Sequence, residues 1–185
     1  AGAIRLAGEI NGKTVAISGT GMLGSIACSI CKTMGAHNIM VTDLDDGRLE
    51  TAQKFGADHA VDANESIEEA VMKYYGEMQP FDVAIEFSGA ASAMENSLKH
   101  VAIGGTIVWV GATFPQRPLQ IDAEKIIRNI HTIKGLHNYT NKDLVTAVEF
   151  IENNYKTFPF GEMIHDQFTL DQVNEAFEYA IKQNP

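Results

Sequence analysis

The sequence predicts an α/β fold in which a doubly wound parallel sheet carries helices on both faces, with a helical tail at the C-terminus. Short runs that are apolar throughout alternate with helical patterns as far as Gly135. Strands that show no apolar–polar alternation are buried on both faces. Parallel strands also need crossover connections, which the intervening helices supply.

Six strands are expected, all of them short apolar runs. They span residues 14–18, 38–42, 59–61, 81–87, 106–110 and 132–134. Crossover helices are expected at residues 22–34, 46–55, 66–75, 93–100 and 123–129. After Gly135 the alternation stops, and an amphipathic helix at 142–153 is followed by a last helix that ends near 182. Thr169, with Gln172 three residues later, has the pattern of a capping box that opens this last helix.

Composition and charge argue against several classes of partner. The 185 residues carry a net charge of −10, so the surface repels phosphate backbones and anionic lipids. No apolar stretch approaches the roughly 20 residues that span a bilayer. Neither nucleic acid nor membrane is therefore expected as a partner. The only cysteines, Cys28 and Cys31, form no disulfide framework and favour a reducing, cytoplasmic location.

A glycine-rich turn joins the first strand to the first crossover helix. Its sequence is Gly19-Thr20-Gly21-Met22-Leu23-Gly24. In a dinucleotide-binding turn of this spacing, the first glycine permits the tight turn and the second lets the backbone approach a pyrophosphate. The third lets helix and strand pack closely. The helix start then offers free backbone N–H groups to the anion. The turn predicts a Rossmann-type domain that binds a dinucleotide.

Asp43 ends the second strand, 19 residues after Gly24, where an acid is expected to meet the adenosine ribose. A carboxylate there can accept hydrogen bonds from both ribose hydroxyls. A 2′-phosphate would instead place like charges together, and Asp45 and Asp46 add to that repulsion while Arg48 opposes it. These charges predict NAD rather than NADP as the cofactor.

These residues resemble the cofactor domain of the medium-chain dehydrogenase/reductase superfamily, the zinc-type alcohol dehydrogenases. The resemblance covers residues 12–182. Beyond the glycine turn and Asp43, with Arg48 five residues later, it rests on five further stretches, which are 55–58, 81–83 leading into 88–89, 104–105, 110–111 and 132–135. Residues 86–90 and 135–139 further resemble a branch of alcohol dehydrogenases associated with phosphonate catabolism.

The resemblance implies further contacts and partners. Arg48 would reach a ribose hydroxyl, and Ser88 and Gly89 would border the adenosine half of NAD. The backbone of two short segments would hold the nicotinamide carboxamide. These segments are Val110, Gly111 and Ala112, and Leu136, His137 and Asn138. The substrate would be a small alcohol or aldehyde, and a homodimer or tetramer would form around residues 117–135.

Members of that superfamily hold catalytic zinc on a separate domain that precedes the cofactor domain. The resemblance therefore divides the chain into the end of a linker helix (1–12), an NAD-binding Rossmann domain (13–138), and C-terminal helices that return to the catalytic domain (139–185). On this view the chain is an excised domain that contains no catalytic residue and no metal ligand, and is inactive alone.

Several residues allow a second interpretation. Cys28 and Cys31 have redox or zinc spacing, but their position inside a helix favours buried packing. The six histidines are scattered, and only His137 could face the cleft. Glu86 on a central strand is unusual because a buried carboxylate is costly unless it is paired. Two other functions also stay open, a non-catalytic NAD(H)-sensing module and an S-adenosylmethionine-dependent methyltransferase, although the unbroken glycine motif favours NAD.

Overall fold

The computed structural model describes residues 1–164 and 168–183. Its strands are β1 (Thr14–Ser18), β2 (Asn38–Asp43), β3 (His59–Asp62), β4 (Phe81–Glu86), β5 (Val101–Trp109) and β6 (Thr132–Gly135). Its α-helices are α1 (Gly2–Ala7), α2 (Met22–Thr33), α3 (Asp46–Lys54), α4 (Ile67–Tyr75), α5 (Ala91–His100), α6 (Ala123–Arg128), α7 (Asn141–Asn154) and α8 (Val173–Gln183). Two short 3-10 helices span Phe160–Met163 and Leu170–Gln172.

The six strands form one sheet in the order β3-β2-β1-β4-β5-β6, and every neighbouring pair is parallel. The strand order reverses between β1 and β4, so the crossovers leave these two strands in opposite directions. A crevice forms where they diverge, outside the carboxyl ends of the strands. The predicted doubly wound α/β sheet with helices on both faces is confirmed.

Two apolar layers cover the sheet. One contains Val15, Ile17 and Ile85 and is packed by α1, α2 and α3. The other contains Met40, Ala84 and Ile107 and is packed by α4 and α5. The strands are therefore buried from both sides, which explains why they are apolar throughout.

The fifth strand starts earlier than predicted, at Val101 rather than at residue 106. The predicted strand began directly after Gly104 and Gly105, and Gly104 adopts a left-handed φ of 78°. The chain nevertheless pairs with β4 on both sides of this irregularity, with Phe81 opposite Val101 and Val83 opposite Thr106. The glycines thus mark a bulge inside the strand.

The tail after Gly135 adds no strand within the described residues and packs partly against the first layer. Phe158 stacks on Phe55 with ring centroids 6.0 Å apart, and Phe160 meets the same ring edge-on at 5.4 Å. The predicted capping box of Thr169 and Gln172 is present. None of the helices in ranges 1–164 and 168–183 combines the length and apolarity that crossing a bilayer requires.

Candidate cofactor-binding crevice

A cavity of about 780 Å³ lies at the carboxyl edge of the sheet, where the strand order reverses. Its walls come from the loops after β1, β2 and β4 and from the helices α2 to α5. Eight of the predicted site residues line it, namely Gly19, Gly21, Met22, Leu23, Gly24, Asp43, Arg48 and Ser88. The structure therefore brings together most of the residues that the sequence proposed for the adenosine and pyrophosphate.

Each of the three glycines in the turn has a different steric environment. Gly19 has a left-handed φ of 84°, and a Cβ there would lie 2.5 Å from the backbone nitrogen of Ser88. A Cβ on Gly24 would lie 1.9 Å from the carbonyl oxygen of Gly19, so only glycine allows α2 to approach β1 this closely. A Cβ on Gly21 would meet nothing within 4 Å. The open space at Gly21 lies on the cavity side and leaves room for a ligand.

The first turn of α2 presents unpaired backbone donors to this space. Gly21 is the N-cap and offers no side-chain acceptor, and the first turn contains no acidic residue. The side chains of Met22 and Leu23 are 57% and 63% exposed. An α-helix leaves its first N–H groups without internal partners, and its dipole adds a partial positive charge there. This turn is a suitable site for a diphosphate.

Asp43 lies at the end of β2 with 9% of its surface exposed and lines the cavity. Its Oδ2 accepts hydrogen bonds from the Thr20 backbone N–H at 2.6 Å and from the Thr20 hydroxyl at 3.1 Å. Its Oδ1 accepts from the N–H groups of Leu44 at 2.8 Å and Asp45 at 3.2 Å. Sequence reasoning missed this role, in which Asp43 ties the glycine turn to the end of β2.

Arg48 approaches the cavity from the first turns of α3. Asp45 is the N-cap of this helix, and its side chain accepts a hydrogen bond from the backbone N–H of Arg48 at 2.8 Å. The cap fixes the helix start next to Asp43, so the Arg48 side chain lines the same wall of the cavity. One cationic and two anionic side chains therefore meet where a ribose is expected.

The residues predicted for the nicotinamide carboxamide lie at the same edge of the sheet, but outside the walls of this cavity. Val110 and Gly111 follow β5 directly, and their N–H groups bond the carbonyl oxygen of Glu86 at 2.9 and 3.2 Å. Ala112 follows them and is exposed. Their backbone forms a second part of the edge, next to the loop after β4.

The segment after β6 continues this second part. The Leu136 N–H bonds the carbonyl oxygen of Trp109 at 2.9 Å, which places Leu136 beside the end of β5. His137 and Asn138 are exposed, and Asn138 has a left-handed φ of 61°. The carboxamide contacts of all six residues stay a prediction.

Glu86 ends β4 and is fully buried, with 0% of its surface exposed. It does not line the cavity. Its Oε1 accepts hydrogen bonds from the Ser88 hydroxyl at 2.5 Å and from the Gly89 backbone N–H at 2.8 Å. Burial raises the pKa of the Glu86 carboxyl, although these donors and the Gly111 N–H act in the opposite direction.

The two cysteines are packing residues, as predicted. Cys28 and Cys31 are both 0% exposed and lie in the first apolar layer. Burial raises the pKa of the Cys28 thiol and, to about 12, that of Cys31, which favours the protonated thiol at both positions.

Among the described histidines, His100 and His131 contact backbone carbonyl oxygens, His59 is partly buried and stacks on Tyr74 with ring centroids 4.1 Å apart, and His37 and His137 are exposed. His100 Nδ1 lies 2.9 Å from the carbonyl oxygen of Met78, and His131 Nε2 lies 3.2 Å from that of Val101. His165 is outside the described residues. No cluster of three or more His, Cys, Asp or Glu that could hold a metal occurs in the described part of the chain. The described residues therefore do not fit a zinc ion.

A second cavity, of about 570 Å³, lies near the C-terminal end of α5. Its walls contain Lys99, Lys125 and Arg128 together with Glu68 and Glu124. None of the predicted site residues lines it, and it has no glycine turn. The candidate site is therefore the larger cavity.

Sheet order, glycine turn and strand-end acid together define a nucleotide-binding Rossmann domain. A family model described as zinc-binding dehydrogenase matches residues 23–153. The chain belongs to that family and carries its NAD(P)-binding domain.

Relatives of known sequence agree with this assignment. L-threonine 3-dehydrogenase of Pectobacterium atrosepticum is 37% identical over 177 residues, which cover 92% of this chain and 46% of the relative. The enzyme of the same name from Shewanella halifaxensis is 31% identical over 170 residues, covering 92% and 49%. The chain thus spans about half the length of the curated relatives it matches.

Solved structures show the same fold. L-idonate 5-dehydrogenase of Escherichia coli superposes with a TM-score of 0.85 at 26% identity, covering 98% of this chain and 50% of the other. An alcohol dehydrogenase of Thermotoga maritima superposes with a TM-score of 0.87 at 25% identity, covering 95% and 48%.

Proposed function

We propose that this chain binds NAD(H) in the crevice and serves as the cofactor domain of an alcohol dehydrogenase. The diphosphate would lie against the backbone N–H groups at the start of α2, and Asp43 and Arg48 would hold the adenosine ribose. The observation that carries the proposal is the uncapped first turn of α2, with open space at Gly21 facing the cavity.

The charges around the ribose position favour NAD over NADP. Asp43 and Asp45 both line the cavity, and one cation, Arg48, lines the same wall. A 2′-phosphate placed there would face two carboxylates at short range, which costs binding energy in a partly buried site. The 2′-hydroxyl of NAD can instead donate to a carboxylate oxygen. We expect NADH to bind more tightly than NADPH by at least tenfold.

The reaction we propose is hydride transfer between an alcohol and the nicotinamide. Bound NAD would supply the hydride acceptor, and this chain would supply its orientation. The residues on the second part of the edge, Val110 to Ala112 and Leu136 to Asn138, would fix the carboxamide through their backbone. On this proposal the chain itself contributes no catalytic residue.

On this proposal the groups that polarise the alcohol lie outside the described residues, among which no cluster could hold a metal ion. The named relatives are about twice as long as the span they share with this chain. The proposed substrate is an alcohol or an aldehyde. The phosphonate-associated branch has no chemical support in residues 86–90 or 135–139, whose described contacts are internal backbone and loop contacts.

A non-catalytic NAD(H)-sensing module would use the same crevice, so binding alone does not separate it from the enzyme. Turnover of alcohols by the protein encoded by the full reading frame separates the two. The methyltransferase alternative predicts binding of S-adenosylmethionine, and membership of a dehydrogenase family argues against it. Isothermal titration with both ligands tests it directly.

The sharpest test of the cofactor site is Gly21→Val, titrated with NADH by fluorescence. The new side chain meets no protein atom within 4 Å of its Cβ, so the fold should survive while the space for the diphosphate is filled. Gly161→Val is the matched control, because its Cβ also meets nothing and it lies outside the crevice. We expect at least a tenfold loss of NADH affinity for the first variant and none for the second. Equal affinity of both variants would refute the proposal.

We also propose that a second copy pairs along β6, which is one of the two edge strands of the sheet. Ile103, Ile127 and Ile130 are 70–76% exposed, and the bond from the Gly104 N–H to the Asn129 carbonyl brings the bulge of β5 next to the C-terminal end of α6. Light scattering should show a dimer that Ile127→Lys dissociates. A monomer in both cases would contradict this arrangement.

A further inference from the structure

Three loops at the carboxyl edge of the sheet are in direct backbone contact. They follow β1 at Gly19, β4 at Ser88 and Gly89, and β5 at Gly111. A Cβ on Gly19 would lie 2.5 Å from the Ser88 nitrogen, and a Cβ on Gly111 would lie 2.2 Å from the Gly89 nitrogen. Any displacement of the middle loop must therefore displace its two neighbours.

Glu86 holds this middle loop. Its carboxylate accepts from the Ser88 hydroxyl and the Gly89 N–H, and its carbonyl oxygen accepts from the N–H groups of Val110 and Gly111. One residue thus binds the loop after β4 through its side chain and the loop after β5 through its backbone. Its side chain is fully buried and does not reach the cavity.

We infer that Glu86 is a positioning residue for the cofactor, acting through the loop after β4. It fixes Ser88, which lines the adenosine side of the crevice, against Gly111, which belongs to the nicotinamide side. The spacing between the two parts of the site is then set by a side chain that touches neither ligand nor solvent. This role rests on the proposed binding of NAD(H).

The Ser88 hydroxyl and the Gly89 N–H both donate short hydrogen bonds to Oε1, so this position requires an acceptor. The Gly89 N–H is buried, and an apolar residue in place of Glu86 would leave it without a partner. The other carboxylate oxygen, Oε2, is buried and has no hydrogen-bond partner among the described residues. One acceptor oxygen therefore does the positioning, and the negative charge itself is not needed.

This argument separates three substitutions. Glu86→Gln keeps an acceptor oxygen at the same reach, so NADH affinity should stay within threefold of the wild-type value. Glu86→Ala removes the acceptor and should weaken NADH binding at least tenfold. Glu86→Asp retains the charge but is one methylene shorter, so it should fall between these two. Val83→Ala, on the same strand and 3% exposed, is the control for a destabilised core with an intact crevice.

Amide hydrogen exchange without cofactor supplies a second readout. Protection of the Gly89 and Gly111 amides should fall at least tenfold in Glu86→Ala and stay unchanged in Glu86→Gln and Val83→Ala. If the wild-type chain fails to bind NADH while this exchange pattern holds, the proposed function fails and the loop positioning stands. If Glu86→Ala or Glu86→Asp exchanges and binds like the wild type, or if Glu86→Gln is as impaired as Glu86→Ala, the inference is wrong.

Discussion

Replacing Asp43 by alanine tests the two roles of this residue at once. The carboxylate accepts four hydrogen bonds within its own chain, two of them from the buried Thr20. Its proposed second role is to accept from the ribose. A carboxylate offers about four lone-pair positions, so the ribose hydroxyls must share or displace bonds that the loop already makes.

The expected loss of stability follows from these bonds. Thr20 is 1% exposed, so its backbone N–H cannot find water when the carboxylate is removed. An unsatisfied buried donor costs about 1–3 kcal/mol, and a hydrogen bond to a charged group contributes about 1.5–3 kcal/mol. The donors of Leu44 and Asp45 are nearer to solvent and should be rehydrated. We expect Asp43→Ala to lower the free energy of unfolding by about 2–4 kcal/mol.

Asp62 provides a matched control. It ends β3, lies in register beside Asp43, and accepts one hydrogen bond, from the Asn64 N–H at 2.8 Å. Its donor is exposed, so Asp62→Ala should cost less than about 1 kcal/mol. Urea denaturation measures both losses, and NADH titration below the unfolding transition measures binding. Only the Asp43 variant should lose affinity, by at least tenfold.

Two results would refute this reasoning. Equal stability losses for Asp43→Ala and Asp62→Ala would show that the buried bonds to Thr20 contribute nothing measurable. A large stability loss for Asp43→Ala with unchanged NADH affinity would show that the residue holds the loop and does not contact the ribose.

Three further outcomes are expected. Gly24→Ala should destabilise the fold by about 3 kcal/mol or more in urea, because its methyl group would overlap a backbone carbonyl oxygen at 1.9 Å, and near-wild-type stability would contradict the packing described. Cys28 and Cys31 should resist a thiol reagent in the native state and react only as fast as the chain unfolds, since both are fully buried; rapid native-state labelling would contradict this. The Arg5 guanidinium holds the pKa of Asp143 well below its usual range. The pair therefore stabilises the fold above the unfolded-state pKa of about 4, and this stabilisation is lost as pH falls from there through the folded-state pKa. Asp143→Asn should therefore flatten the acid limb of a stability–pH curve, and an unchanged limb would rule the pair out.

The parts of the site that the sequence predicted depend on the backbone alone. Gly19 and Gly24 lie where the backbone leaves no room for a side chain, as the motif predicts, and the approach of a ligand at Gly21 stays a prediction. The position of Asp43 also followed from the sequence, since the last residue of a parallel strand lies at the ligand edge. Its four internal hydrogen bonds did not, because they depend on the conformation of the loop it holds.

Long-range packing could not be predicted from local pattern. Phe55 stacks on Phe158 and meets Phe160 edge-on, and both rings are more than 100 residues away in sequence. Nothing in residues 156–161 marks these rings as core. The early start of β5 was missed for a related reason. Two adjacent glycines favour a loop when read locally, and only the pairing with β4 keeps the chain extended there.

Asp43 and Glu86 show one physical solution used at two strand ends. Glycine-rich loops let backbones approach a ligand closely, but they offer no side chains of their own to bond the buried N–H groups they expose. Each acid supplies these acceptors from the strand beside its loop, Asp43 to Thr20 and Glu86 to Gly89. The loops are then held in place before any ligand binds, which lowers the entropy cost of binding.

Both acids bury a negative charge, and the two residues differ in how far hydrogen bonds compensate it. All lone pairs of Asp43 accept hydrogen bonds, whereas Oε2 of Glu86 accepts none among the described residues. Burial raises the pKa of the Glu86 carboxyl, so the free energy of unfolding declines as pH rises through the folded-state pKa of this group. Glu86→Gln removes this titration, so its stability–pH curve should lack the decline that the wild type shows as pH rises, and an unchanged decline would show that another group causes it.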